Sequence, residues 1–139
     1  MKNVTLFFSL MICMFSNLNS VENGNRSIYI ANGDYWIVAN LTEIIDGKSK
    51  KMKHKAKIKI KNQAGKIVLF LILPTGGLNK VIGKVEEGMF IAKNNSKILN
   101  TTYIGIFKGN NTIEGNVKSI SPDGSWLIKG KFKIYPIKK

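Results

Sequence analysis

Residues able to do chemistry are few in this chain, and most of them are lysines. The stretch "KSKKMKHKAKIKIK" (48–61) holds eight of them. Within it Lys53, Lys55, Lys57, Lys59 and Lys61 occupy every second position. A shorter comb, Lys129, Lys131 and Lys133, lies near the C-terminus. Rows of ammonium groups hold anions, so these residues form one candidate site, an anion- or partner-binding face. The rest of the inventory is thin. His54 is the only histidine and Cys13 the only cysteine, and a single histidine makes neither a dyad nor a metal cluster. Five of the eight carboxylates, Asp34, Asp46, Glu86, Glu87 and Asp123, sit in turn-like contexts. Phosphate-binding loops, dinucleotide fingerprints and serine elbows are absent from the sequence. The expectation is a protein without catalysis, cofactor or metal.

Charge alone overstates the case for a polyanion. The 139 residues carry a formal charge of +14, but only Arg26 among the basic residues is arginine. Arginine is the side chain suited to paired phosphate contacts. Lys, Asn and Ile are abundant together, as an AT-rich genome encodes, so codon bias contributes to the charge. Nucleic acid is not the expected partner. The lysine face from 53 to 61 has no interleaved aromatic for base stacking, and only Tyr135 joins the face of Lys129–Lys133.

Strand periodicity positions these residues. Side chains at i and i+2 share a face of a strand. The comb lysines therefore point one way, and Met52, His54, Ala56, Ile58 and Ile60 the other. In the last strand Trp126, Ile128, Phe132 and Ile134 oppose Lys129, Lys131 and Lys133. A solvated outer face explains both combs without a partner. A selected anion-binding face is the alternative, and it gains ground if the combs lie side by side, because like charges on neighbouring strands repel.

Turn signals divide the chain into eight or nine short-linked strands and no helix. They fall at Asn32-Gly33, Asp46-Gly47, "NQAG" (62–65), "PTGG" (74–77), "EEG" (86–88), "NNS" (94–96), "GNN" (109–111) and "SPDG" (121–124). A short strand over 27–30 precedes the first of these. Consecutive short links predict an all-β, antiparallel up-and-down meander of about eight strands, closed into a barrel so that no edge is left open. Such a barrel either fills with side chains or holds one small ligand. The short strands favour a filled one. If a ligand cavity exists, its lining is expected from Trp36, Phe70, Phe90, Phe107 and Trp126.

The first twenty residues read differently. Lys2, an apolar run from Val4 to Phe15 and small or polar residues to Ser20 have the anatomy of a cleaved secretory signal peptide. Residues 1–20 are thus assigned to the signal and 21–139 to a single domain. Its removal takes away Cys13, so the exported domain has no disulfide. No other segment is long and apolar enough to cross a membrane as a helix; "IVLFLIL" (67–73) is too short. The destination is secreted or periplasmic. The five Asn-x-Ser/Thr sequons within residues 21–139 are read as chance in an Asn-rich chain.

The motif "NGDYW" (32–36) and the closing hairpins "YIGIFKGNNTIEGNVKSISPDGSWLIKGKFKIY" (103–135) resemble the calycin and lipocalin-like group of small secreted barrels. Gly33 and Trp36 are two residues apart where lipocalins have Gly-x-Trp, and lysine stands where their last strand carries Arg. The resemblance implies a barrel that carries or senses a small apolar or anionic molecule in its mouth. The alternative from the residues is a basic interaction protein. It would use the outer lysines on an acidic glycan, an anionic lipid or an acidic protein, as an inhibitor or host-directed factor would.

Overall fold

The computed structural model describes residues 30–72 and 78–139. The signal segment and residues 27–29 of the short strand expected over 27–30 lie outside the described residues. Eight antiparallel strands form a closed barrel in sequence order: β1 (Gly33–Ile45), β2 (Lys48–Gln63), β3 (Lys66–Ile72), β4 (Leu78–Glu86), β5 (Met89–Asn95), β6 (Asn100–Gly109), β7 (Thr112–Ile120) and β8 (Trp126–Pro136). No helix occurs among the described residues, and none there is long and apolar enough to cross a membrane. The expected meander is therefore present, with eight strands.

Its hairpins follow from local chemistry. Asp46-Gly47, Ala64-Gly65 and Glu87-Gly88 all have positive φ at both positions. That is the type I′ geometry whose twist matches the flanking strands. Asn110-Asn111 does the same with two asparagines, which tolerate left-handed backbone better than most residues. The β7–β8 loop is held by one carboxylate. Asp123 accepts from the Ser121 hydroxyl at 2.7 Å, the Ser125 hydroxyl at 2.8 Å and the Ser125 N–H at 3.1 Å. These bonds favour the charged form and lower its pKa to about 2.

Alternation sorts the side chains. Tyr35, Ile37 and Ala39 of β1, Ile58 and Ile60 of β2, and Phe132 and Ile134 of β8 face inward and are buried. Phe132 meets Tyr103 and Phe90 edge-on at 5.5 and 6.5 Å. Burial without a compensating charge raises the Tyr103 pKa. One end of the barrel is plugged by Ile30, which is 1 % exposed. Its carbonyl accepts from the Asn62 side chain at 3.2 Å, and the next carbonyl, of Ala31, from the Tyr35 hydroxyl at 2.7 Å. Residues 30–32 are thus tied to the start of β1 and to β2 by these bonds. The buried Ser119 is satisfied by Thr101 at 2.7 Å.

Small-barrel curvature needs positions without a Cβ. An added Cβ at Gly115 would collide with the carbonyl oxygen of Ile104 on β6, and one at Gly130 with that of Asn40 on β1. At both positions the glycine lets the neighbouring backbone approach more closely than a side chain would allow. Gly115→Ala is expected to destabilise the fold by about 1–3 kcal/mol or more through overpacking, read as a lower denaturation midpoint with an unchanged slope.

Candidate functional site

Closure of the barrel brings the two lysine combs to one outer face. β1 pairs with β2 on one side and β8 on the other, with Trp36 between Lys57 and Tyr135, Val38 between Lys55 and Lys133, and Asn40 between Lys53 and Lys131. One step further, Thr42 lies between Lys51 and Lys129. The combs are thus not adjacent strands but the two banks of a trough whose floor is β1. Neighbouring strands are spaced by about 4.8 Å, so the banks stand roughly 10 Å apart, and lysines along each repeat about every 6.7 Å. A concavity of about 590 Å³ covers part of this face and runs on past β8 to β7 and β6: besides Val38, Asn40, Lys53, Lys55, Lys131, Lys133 and Tyr135 it is lined by Ile106, Lys108, Glu114, Gly115, Asn116 and Phe132.

The floor is short and neutral while the banks are long and cationic, because β1 carries Val, Asn and Thr where its neighbours carry Lys. At the aromatic end Lys55 Nζ lies 4.3 Å and Lys57 Nζ 5.8 Å from the Trp36 ring centre. These contacts fix the ring between lysine stems and are worth about 0.5–1 kcal/mol each at an exposed site. Glu114 of β7 reaches Lys133 at 2.8 Å, and the Lys133 ammonium lowers its pKa. On the outward positions of β1, β2 and β8 themselves the only carboxylate is Asp34, beside Lys59.

Such crowding has a modest cost. Two ammoniums 10 Å apart in water repel by about 0.4 kcal/mol, and physiological salt screens much of that. Directly opposed lysines feel more. Lys118 of β7 faces Lys129 of β8, and its pKa is lowered, first by burial and then by the Lys129 charge. With its folded pKa below the unfolded one, charged Lys118 works against the fold. That penalty fades as pH rises through the lowered value toward the ordinary lysine range. In Lys129→Gln the Lys118 titration midpoint should move up part of the way, burial remaining as the larger cause, which side-chain NMR would read directly.

The aromatics expected to line a cavity do not converge. Trp36 and Phe70 point outward, a correction to that expectation. Trp36 alternates with the buried Tyr35 and Ile37, and Phe70 stands opposite Lys59 with Lys61 Nζ 5.7 Å from its ring centre. Phe90 is fully buried core, and Phe107 packs partly buried against it. Trp126 lies at the far end from Ile30, where its indole N–H donates to Glu43 at 2.9 Å. Of the expected anion-binding residues, Lys53, Lys55, Lys57, Lys129, Lys131 and Lys133 form the two banks. Lys59 and Lys61 continue the β2 bank past Trp36 toward β3. His54 is exposed on the opposite face from the comb. The floor residues Val38, Asn40 and Thr42, and Lys118 and Glu114, were not among the expected site residues. The shared face of Val38, Asn40 and Thr42 with Trp36 is visible in the sequence, but their place beside the combs needs the β1–β2 and β1–β8 ladders, and that of Glu114 and Lys118 the β7–β8 ladder.

No protein-family model, curated protein or solved structure matches the chain.

Proposed function

We propose that this chain is an exported, non-enzymatic binding protein that grips a row of negative charges on the outer face of β1, β2 and β8. The observation that carries the reading is the juxtaposition of the two lysine combs across β1. A row of anions in the trough would meet ammonium groups from both banks, and it would relieve the repulsion between them. Lysine suits this use: its point charge on a flexible stem adapts to anions of differing geometry, whereas arginine favours planar paired contacts.

The eight-strand meander has the form that the resemblance to calycins implies, and the same scaffold supports the carrier reading. That reading draws less support here. Ile30 fills one end, the Phe90–Tyr103–Phe132 rings occupy the middle, and the five aromatics considered for a lining are scattered over core, rim and outer surface. Export rests on the signal-like residues 1–20.

The test is equilibrium binding of a sulfated glycan and of polyglutamate at two salt concentrations. Affinity should fall roughly tenfold or more between 50 and 200 mM salt. The triple change Lys55→Glu, Lys57→Glu, Lys131→Glu should abolish binding, while Phe107→Leu in the core leaves it intact. Tight, salt-insensitive binding, or binding unaffected by the triple change, would remove the trough from consideration.

A further inference from the structure

The β2–β3 ladder begins only at Ile58, opposite Leu71. From Lys48 to Lys57 the sole ladder partner of β2 among the described residues is β1. The type I′ turn at Asp46-Gly47 fixes which way each backbone group points. In a two-residue hairpin the flanking pair, Ile45 and Lys48, is hydrogen-bonded, and bonded pairs then recur at every second position. Even-numbered residues of β2 therefore turn their N–H and C=O toward β1. Ser49, Lys51, Lys53, Lys55 and Lys57 turn theirs away from it, toward the side that β3 occupies lower down. The turn at Ala64-Gly65 gives the same parity independently, since it makes Gln63–Lys66, Lys61–Val68 and Lys59–Phe70 the bonded pairs. The residues that turn their backbone toward this side, where the described residues supply no ladder partner before Ile58, are thus the residues whose side chains form the lysine bank.

We infer that this edge of β2 is a docking strand for an extended acidic polypeptide, which would add to the sheet beside Lys51–Lys57. The inference rests on the anionic reading of the trough and names its source. A glycan or lipid head group would use the ammoniums alone, whereas a peptide would also use the backbone row, as in strand addition. Charge complementarity selects the occupant. Acidic side chains at alternate positions of the added strand would stand directly opposite Lys51, Lys53, Lys55 and Lys57 on the outer face. A second copy of this edge would place lysine against lysine, so the comb that invites an acidic strand also blocks self-pairing. Neither segment outside the described residues carries the alternating acids such a strand would need. Residues 1–29 contain Glu22 as their only acid and 73–77 read "LPTGG".

The probe is a capped peptide alternating Glu with Thr over the ten residues that match Lys48–Lys57. An isomer with its Glu and Thr in separate blocks controls for charge. The alternating peptide should bind the full chain about tenfold tighter than the isomer, the scale of one or two added hydrogen bonds. Amide exchange at Lys51, Lys53 and Lys55 should slow when it binds. Lys53→Pro removes an edge N–H without touching the β1 ladder. It should weaken binding about tenfold beyond Lys53→Thr, which removes only the charge. Equal binding of the two isomers, or unaltered exchange at these amides, overturns the docking strand. That result needs no variant and so holds even if Lys53→Pro fails to fold. If the isomers bind equally and a sulfated glycan still binds with steep salt dependence, the trough reading survives the loss. If none of the three binds, both fall.

Discussion

The ladder between the first and last strands is the constraint on which everything else depends. Tyr35 to Ile45 pair with Trp126 to Pro136, and the Ile137 N–H extends the seam to the Asp34 carbonyl at 3.1 Å. This seam joins elements about ninety residues apart in sequence, so the chain entropy lost in forming it is repaid only when the whole barrel closes. Closure removes the two terminal edges of the meander, puts Phe132 and Ile134 into the same core as Ile37 and Ile58, and sets the two lysine rows on either bank of β1.

The same backbone register has opposite consequences on its two sides. Inward, alternation delivers isoleucine, valine and phenylalanine to a packed interior, where glycine at Gly115 and Gly130 lets the sheet curve without colliding with its neighbours. Outward, it delivers lysine on both neighbours of β1 and small neutral side chains on β1 itself. The buried apolar side chains thus lie inside and the ammonium groups of the two combs outside. Trp36 illustrates the division: one residue from the buried Tyr35, it lies outside, with a lysine ammonium 4.3 Å from its ring centre.

Charge on this face can be tolerated without being neutral. Exposed ammoniums at inter-strand distances repel weakly in salt water, so the rows do not threaten a well-packed core. Where burial adds to proximity, as at Lys118 opposite Lys129, the lowered pKa marks the repulsion that remains. Lysine along a strand edge also disfavours pairing with a second copy, because like charges would stand opposite one another.

The sequence by itself determined the strand alternation, the turn at Asp46-Gly47 and the breaks at "NQAG" (62–65) and "EEG" (86–88), and the division of β2 into a lysine face and an isoleucine face. These are local matters, governed by side-chain period and by which residues accept positive φ. Only the tertiary structure decided that β8 closes on β1 in a register setting Lys131 and Lys53 on either side of Asn40, that Ile30 stoppers the barrel, and that Trp36 and Phe70 face water. Local periodicity says which residues share a face, but which face is inside depends on how the sheet curls and what fills it. The pairing of the first strand with the last is set by the twist and stagger of all eight strands at once.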